Sequence, residues 1–369
     1  MNYDYDNFDP EGQKIMLFTP GPVYVPDWVL AELAKPNDTH RCKPYNALHK
    51  QVKEKLQKLL LTKNDALIWT ASGSAVMEAC VKSLLGPNDK GLFLSCGDFG
   101  ERWAAMAKDN GKNYVKKDVE LGDGFTAELV KKFLNEDKYS VVFIQMNETS
   151  TGVMNPIWEI GPIVKEYGAL LCVDTVSCMG GVEIKVDDWG IDVCLASSQK
   201  CFGLPPGLAI STISEAAYKK AETVPNRGFY LDLITMKKSS AKNETPSTPV
   251  IPIIRALNKV LDKIFEEGPQ NRNKNHKELS EIVRNWAKGK GFEPFPKPGF
   301  ESPTVSTIKN TLGISIKDWL KATISRGYRF VNGYGELAEK TFRIATMGWI
   351  TKEMVYEFLN VLDETIPKK

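Results

Sequence analysis

Short apolar runs that stop at polar residues recur along the first two thirds of the chain. One runs from Ala169 to Val173 and ends at Asp174, and another runs from Val193 to Ala196 and leads into Ser197-Ser198-Gln199-Lys200. Runs of this length, bounded by Gly and polar residues, are typical of strands buried in a parallel sheet. Similar runs are Leu67 to Thr70, Gly91 to Ser95 and Ser140 to Met146.

Between these runs, apolar residues spaced three or four apart predict helices. The helical segments are Tyr45 to Leu61, the stretch from Val76 to Leu84, Ile160 to Tyr167 and Ile251 to Glu267. Strand, helix and strand in alternation indicate βαβ units and a doubly wound sheet. The pattern therefore predicts an α/β fold, with a mainly parallel sheet flanked by helices.

The pattern changes after Gly268-Pro269. Helical periodicity there alternates with short strand-like runs, over His276 to Lys288, Thr304 to Ile308, Ile316 to Ile324, Tyr328 to Val331, Thr341 to Ile344 and Lys352 to Ile366. We predict a loose N-terminal arm over residues 1–16, a large domain over 17–267 and a smaller C-terminal α+β domain over 268–369. The polar, proline-broken stretch Lys237 to Pro249 is predicted to be a loop.

Composition narrows the range of partners and compartments. The 48 basic and 46 acidic residues give a net charge of +2, which favours neither nucleic acid nor an acidic membrane surface. The seven cysteines form no Cys-x-x-Cys pair, as expected of reduced thiols in a cytoplasm. No apolar run reaches the roughly 18 residues of a membrane span, and the acidic start does not resemble a signal peptide. We expect a soluble cytoplasmic protein without a metal site.

Asp174 and Lys200 follow two strands whose carboxyl ends should meet, so both are expected in one crevice. A lysine amine can form a Schiff base with an aldehyde cofactor, and a carboxylate can keep a pyridine nitrogen protonated. Pyridoxal 5'-phosphate (PLP) needs both. The alternative is a turn-capping aspartate and a solvated lysine, which would be the better interpretation of an isolated pair.

The pair is accompanied by an ordered set of motifs. Asn147-Glu148-Thr149-Ser150-Thr151-Gly152 lies upstream, Trp189-Gly190-Ile191-Asp192 lies between the pair, and Pro205-Pro206-Gly207 lies downstream. With these motifs the chain resembles, from about Leu17 to Ile366, the class V aminotransferases of PLP fold type I. The resemblance is to the branch with the alanine-glyoxylate and serine-glyoxylate aminotransferases. It implies PLP on Lys200, with Asp174 at the pyridine nitrogen.

The turn Ala71-Ser72-Gly73-Ser74 precedes a helix, and a helix N-terminus suits a phosphate, although a serine there can simply cap the helix. The resemblance favours the phosphate. It also implies cofactor contacts from Phe99, Thr149 and Gln199. The alternative is a core aromatic for Phe99 and a turn threonine for Thr149. Phe99 matches an aromatic residue that stacks on the pyridine ring, where some members have tryptophan. The cofactor-binding residues expected from the resemblance are Ser72, Gly73, Ser74, Phe99, Thr149, Asp174, Gln199, Lys200 and Thr248.

Arg343 matches the family arginine that binds the substrate α-carboxylate, and a guanidinium can grip both of its oxygens. Gly21 and Thr149 are the other substrate contacts that the resemblance implies. Thr248 matches a residue that reaches the partner subunit's cofactor phosphate, which implies a homodimer with shared active sites. His40-Arg41 is interpreted as a surface pair.

The implied activity is transfer of an amino group between an amino acid of alanine or serine type and a 2-oxo acid of glyoxylate or pyruvate type. The donor could instead be aspartate, phosphoserine or an aminophosphonate. A PLP lyase such as a cysteine desulfurase shares the fold, but it needs a later nucleophilic cysteine and usually a histidine before the lysine. This chain has no cysteine after Cys201 and has Gln199 before Lys200. A non-catalytic protein is disfavoured because Asp174 and Lys200 are both present.

Overall fold

The computed structural model describes residues 15–367, so most of the predicted N-terminal arm lies outside the described residues. The strands are β1 (Met16–Leu17), β2 (Asp65–Trp69), β3 (Gly91–Ser95), β4 (Tyr114–Asp118), β5 (Val141–Gln145), β6 (Asn147–Glu148), β7 (Val153–Met154), β8 (Leu170–Asp174), β9 (Val193–Ser197), β10 (Ala209–Ile213), β11 (Glu293–Pro294), β12 (Val305–Lys309), β13 (Tyr328–Arg329), β14 (Val331–Asn332) and β15 (Thr341–Ala345).

The helices follow the predicted alternation with the strands. They are α1 (Asp27–Leu33), α2 (Lys43–Leu59), α3 (Gly73–Leu84), α4 (Asp98–Asp109), α5 (Ala127–Leu134), α6 (Ile157–Glu166), α7 (Glu215–Glu222), α8 (Leu233–Ser240), α9 (Ile251–Glu267), α10 (Pro269–Gly289), α11 (Ile316–Ile324) and α12 (Lys352–Thr365), with a short 3-10 helix at Gly335–Leu337. Among the described residues no helix is both long and apolar enough to cross a membrane.

A seven-stranded sheet forms the centre of the molecule, in the order β2-β10-β9-β8-β5-β3-β4. Strand β10 pairs antiparallel with both β2 and β9, and the pairs β9-β8, β8-β5, β5-β3 and β3-β4 are parallel. Asp174 on β8 lies opposite Gln145 on β5 and opposite Leu195 on β9. The predicted α/β fold with a mainly parallel sheet is therefore confirmed, and the carboxyl ends of β8 and β9 lie side by side.

Helices cover both faces of this sheet, because its strands are apolar on both sides. One apolar cluster joins one face to α2, α5, α6 and α9. A second cluster joins the other face to α3, α4, α7 and α8. In this second cluster the buried Trp103 of α4 donates from its indole to the Met77 carbonyl of α3 at 2.9 Å, which fixes these two helices against each other. Both helices begin beside the candidate site.

The C-terminal part has its own antiparallel sheet in the order β11-β12-β15-β14, packed against α10, α11 and α12. Its core is rich in aromatic rings, with Trp319 in contact with both Phe330 and Phe342. Strand β1 pairs in parallel with β13, and Phe18 packs in this core. The start of the described chain is thus part of the C-terminal core. The predicted domain boundaries stay a prediction.

Two sequence predictions are wrong in detail. The stretch Lys237 to Pro249 is not a loop throughout, because α8 continues to Ser240. Asp232 caps this helix by accepting from the amides of Ile234 and Thr235, each at 3.1 Å, and Met236 is buried. The run Tyr328 to Val331 is two short strands rather than one, since β13 pairs with β1 and β14 pairs with β15.

Candidate active site

Lys200 lies in the turn after β9 and is only 8% exposed. Its Nζ donates to the carbonyl oxygen of Pro20. Gly21 lies beside the amine, and a Cβ built on this glycine would come within 2.5 Å of Lys200 Nζ. The structure thus brings together Lys200 and Gly21, which are far apart in sequence. Only a glycine leaves the space next to the amine open.

Asp174 ends β8 and is buried. Its Oδ1 accepts from the amide of Val176 at 2.8 Å. Burial raises the pKa of the Asp174 carboxyl to about 7, helped by the charge of Glu148 and opposed by the Val176 amide and Lys200. Burial also lowers the pKa of the Lys200 amine to about 8, helped by the positive charge of Arg343 and opposed by Asp174. These side chains are therefore close enough to affect each other's ionisation.

The turn before α3 has the geometry of an anion site. Gly73 begins the helix, and its amide donates to Ser197 Oγ at 2.6 Å. A Cβ at Gly73 would lie 2.7 Å from both Ser197 Oγ and Val176 Cγ2, so the close approach requires glycine. The exposed hydroxyl of Ser72 makes no capping hydrogen bond, and Ser74 follows in the first turn. The N-terminal end of α3 is thus directed at the ends of β8 and β9, where its dipole favours an anion.

Phe99 is half-buried in the first turn of α4. Its backbone amide and that of Gly100 donate to Glu148 Oε2, at 3.1 and 3.2 Å. Glu148 is fully buried, which raises its pKa, and hydrogen bonds from Ser150 and from these amides oppose the shift. Glu148 therefore sets the position of the predicted stacking residue. Sequence reasoning missed this role, although the position of Glu148 directly after a buried strand was a signal.

Arg343 lies on β15 and is buried. Its Nη1 donates to the carbonyl oxygen of Thr149 at 3.1 Å, and Nε and Nη2 reach the carbonyl oxygen of Asn332 at 3.3 Å. The structure thus brings the predicted carboxylate-binding arginine next to the predicted hydroxyl residue Thr149. Both lie beside the crevice that contains Lys200.

An arginine and a tyrosine that sequence reasoning missed connect Phe99 with Arg343. The Arg102 guanidinium lies 4.6 Å from the centroid of the Phe99 ring, and its Nη2 donates to the Tyr334 hydroxyl at 3.1 Å. On the other side, the guanidinium of Arg343 lies 5.3 Å from the centroid of the Tyr334 ring. No local pattern could have shown this, because the contact joins α4 to a turn more than two hundred residues later.

Two glutamines near the crevice have buried amide atoms without a hydrogen-bond partner among the described residues. For Gln199, next to Lys200, this is Oε1. For Gln145, which is in register with Asp174, it is both Oε1 and Nε2. Buried polar atoms are rarely left unpaired, so these amides indicate room for a polar group that the protein alone does not supply.

Among the described residues, no hydrogen bond joins Thr248 to Asp174 or Lys200. Thr248 is exposed in the segment between α8 and α9. In the same segment Glu244 pairs with Arg41 at 3.1 Å, and the Thr245 carbonyl oxygen accepts from the Arg41 guanidinium at 3.2 Å. Arg41 therefore ties this segment to the residues just before α2.

The residues of the crevice fit PLP. They supply a buried amine, a buried acid, a helix N-terminus that only glycine can form, and unpaired amide groups at Gln145 and Gln199. These match the aldehyde, the pyridine nitrogen and the phosphate of the cofactor in chemical type. The fold and the site together define a PLP-dependent transaminase of fold type I.

Comparison with known proteins agrees with this class. The family model of the class V aminotransferases matches residues 31–287, and the chain belongs to this family. An uncharacterized aminotransferase of Methanocaldococcus jannaschii is 41% identical over 91% of this chain and 88% of its own length. A serine–glyoxylate aminotransferase of Methylorubrum extorquens is 32% identical over 90% and 86%. The crystal structure of an alanine–glyoxylate aminotransferase from Nostoc sp. superposes with a TM-score of 0.93 at 27% identity, over 100% of both chains.

Proposed function

We propose that this enzyme moves an amino group between a small amino acid of alanine or serine type and a 2-oxo acid of glyoxylate or pyruvate type, with PLP held on Lys200. One observation carries the proposal: the buried amine of Lys200 lies within electrostatic reach of both Asp174 and Arg343. An amine that reacts, an acid for the ring and a cation for the carboxylate are thus available in one crevice.

Bound PLP supplies an aldehyde for the amino group and a protonated ring that withdraws electrons from the substrate α-carbon. Asp174 keeps a negative charge beside the ring nitrogen, so that this nitrogen holds its proton. Ser72, Gly73 and Ser74 bind the phosphate at the N-terminus of α3. Phe99 would cover one face of the ring. Thr149, Gln199 and Thr248 of the partner subunit would also contact the cofactor.

Lys200 is also the proton carrier of the proposed reaction. When it is not attached to the cofactor, the Lys200 Nζ amine would take the proton from the substrate α-carbon and would later donate it. A pKa near 8 suits this work, because both the neutral and the protonated amine are then populated near neutral pH. Burial, which lowers the pKa, also limits the access of water to the amine.

Arg343 holds the substrate in the proposed reaction. Its guanidinium pairs with the α-carboxylate, while Gly21 and Thr149 line the space on either side. The lack of a side chain at Gly21 keeps the approach to Lys200 Nζ open. A carboxylate held at one end and an amine carrier at the other set which hydrogen of the substrate faces Lys200.

A homodimer with shared active sites and a cytoplasmic location belong to the same proposal. The exposed position of Thr248 supports the dimer, because the residue is accessible to a second subunit. The seven cysteines are all free thiols, which supports a reducing compartment. Sedimentation of the holoenzyme, compared with that of Thr248→Glu, tests the dimer.

Absorbance spectroscopy tests the proposed activity. The holoenzyme is scanned, and alanine, serine, aspartate and phosphoserine are then added one at a time. Loss of the lysine-linked cofactor band with alanine or serine, and its return with glyoxylate or pyruvate, is the expected result. A response to aspartate or phosphoserine alone would assign another donor. Sulfide release from cysteine without amino transfer would instead favour the lyase.

A further inference from the structure

Arg272 is a buried cation outside the crevice. It lies in the first turn of α10 and is only 2% exposed. Its Nε donates to the carbonyl oxygen of Gly180 at 2.7 Å, and its Nη2 donates to those of Cys201 and Gly348, at 2.9 and 2.7 Å. Its Nη1 pairs with Glu267 at 2.9 Å. We call Arg272 and the three carbonyl groups of Gly180, Cys201 and Gly348 the Arg272 clamp.

Each carbonyl of the clamp belongs to a segment that carries a residue of the candidate site. Cys201 directly follows Lys200, and Gly180 lies in the turn after Asp174 of β8. Gly348 comes five residues after Arg343 of β15. Within residues 15–367 these three oxygens accept no other hydrogen bond. Removing the guanidinium would leave all three without their hydrogen-bond donor, which is unfavourable.

The segments that the clamp joins are already in close backbone contact. A Cβ at Gly348 would lie 3.3 Å from Gly203 Cα and 3.6 Å from the carbonyl oxygen of Lys200. Trp349 donates from Nε1 to the Phe202 carbonyl oxygen at 3.0 Å, and its ring centroid lies 4.3 Å from the Arg272 guanidinium. A shift of the lysine turn would therefore be passed to the end of β15, and the clamp restrains both.

We propose that Arg272 is a positioning residue for transamination. It holds the turn of Lys200 against the segment that follows Arg343, and so fixes the spacing between the amine that moves the proton and the guanidinium that binds the carboxylate. The roles of Lys200 and Arg343 in this inference rest on the proposed function. Only arginine suits the position, because its planar fork reaches three oxygens and a carboxylate together, whereas a lysine is a single point charge.

A surface cleft beside Arg272 could admit a small solute that replaces the guanidinium group of a deleted Arg272 side chain. A cleft of about 580 Å³ is lined by Arg272 together with Glu267, His276 and Trp349. In an Arg272→Ala variant the space left by the side chain would connect to this cleft. A guanidinium ion could then enter, donate to the same oxygens and pair with Glu267. Potassium donates no hydrogen bond, and urea has no charge to pair with Glu267.

The experiment compares holoenzymes of the wild type, Arg272→Ala, Arg272→Lys and Arg284→Ala. Arg284 is the matched control, because it lies on the same helix, is half-buried and donates to one carbonyl oxygen, that of Ser302 at 2.9 Å. Kinetics with alanine and glyoxylate are measured with and without guanidinium chloride below its denaturing range, with potassium chloride and urea as controls. Hydrogen exchange of residues 199–204 and 346–350 is measured without substrate.

We expect Arg272→Ala to lose on the order of 100-fold in kcat/KM, the size of effect of a misplacement of about 1 Å. Its kcat should fall, its KM for alanine should rise, and exchange should be faster in both segments. Guanidinium, but neither control solute, should restore activity and slow the exchange. Arg272→Lys should be impaired without being rescued, because its own side chain fills the space, and Arg284→Ala should match the wild type.

Unchanged exchange in Arg272→Ala, or a loss of activity that guanidinium does not reverse, would overturn the inference. If the alanine variant fails to fold, Arg272→Lys decides alone: faster exchange in both segments with lower kcat/KM supports positioning, and unchanged exchange contradicts it. A wild type that does not transaminate would contradict the proposed function instead. The exchange data would still show whether Arg272 joins the two segments.

Discussion

Two groups of buried charges in this molecule are paired in opposite ways. In the crevice, the side chains of Lys200 and Asp174 each make a single hydrogen bond, in both cases with a backbone group. Among the described residues neither side chain forms an ion pair. Around Arg272, by contrast, the guanidinium reaches three carbonyl oxygens and Glu267. Burying an incompletely paired charge is costly. The comparison indicates that the crevice is built for a ligand, whereas the Arg272 clamp is complete without one.

The pKa values follow the same division. Burial moves the pKa of Asp174 up and that of Lys200 down, toward each other. With a pKa of about 8, the Lys200 amine can change its protonation near neutral pH, which the proposed proton transfer needs. The Arg272 pKa is also lowered by burial, but Glu267 opposes the shift, and an arginine stays charged at these pH values.

The largest expected effect comes from the amine itself. Lys200→Ala should reduce transamination by about 10⁴-fold or more, because it removes both the cofactor attachment and a general acid/base. Lys53→Ala is the matched control, since Lys53 is a mostly buried lysine that is already paired with Asp65 at 2.9 Å. Steady-state transamination rates of both variants show whether Lys200 is specifically required. Comparable losses in the two would mean that Lys200 has no special role.

Asp174→Asn should keep PLP but lose about 100- to 1,000-fold in activity, as expected when a preorganised charge is removed. An amide cannot hold the pyridine nitrogen in its protonated form. Asp192→Asn serves as the control, because Asp192 is a half-buried acid that accepts from the Leu171 amide at 3.0 Å, away from the crevice. Turnover near that of the wild type in Asp174→Asn would contradict the role proposed for the acid.

Arg343→Lys should leave the cofactor absorbance unchanged and raise the KM for amino acid and oxo acid alike. Loss of a buried charge-assisted pair costs roughly 2 to 5 kcal/mol, and the lysine variant should lie near 2 kcal/mol, or about 30-fold, because it keeps the charge. A simple alkylamine has no carboxylate and should be barely affected. An equal penalty for alanine, serine and the alkylamine would show that Arg343 is structural.

The smallest effect concerns the stability of the cofactor-free protein. The folded carboxyl of Asp174 binds its proton up to a pKa of about 7, whereas the unfolded one releases it near 4. Since the folded state then holds more protons between these values, the Asp174 contribution to the free energy of unfolding should fall as pH rises from about 4 to 7. Urea unfolding at both ends of this range should show a smaller fall in Asp174→Asn, and an identical pH dependence in both proteins would refute the shift.

Local patterns were enough for the sheet and for the central pair. The apolar runs predicted β8 and β9 to within about a residue, and the convergence of parallel strand ends then placed Asp174 and Lys200 together. Gly21, Thr149 and Arg343 were predicted only through the resemblance. Their contacts join distant parts of the chain, and the hydrophobic periodicity of a sequence does not indicate such contacts.

The same reason explains what was missed. Glu148, the Arg102–Tyr334 bond and Arg272 act through contacts between segments that only the folded chain brings together. The helix α8 was missed for a different reason, because its polar Lys237-Lys238-Ser239-Ser240 end concealed the buried Leu233 and Met236.

The central claim is that Lys200 carries the cofactor, and chemical trapping tests it most directly. Holoenzyme is reduced with borohydride, digested, and mapped by mass spectrometry. The account predicts a pyridoxyl group on the peptide that contains Lys200, and no labelling of this peptide when the substrate amino acid is added before reduction. A pyridoxyl group on any other lysine, or labelling that the substrate does not change, would contradict it.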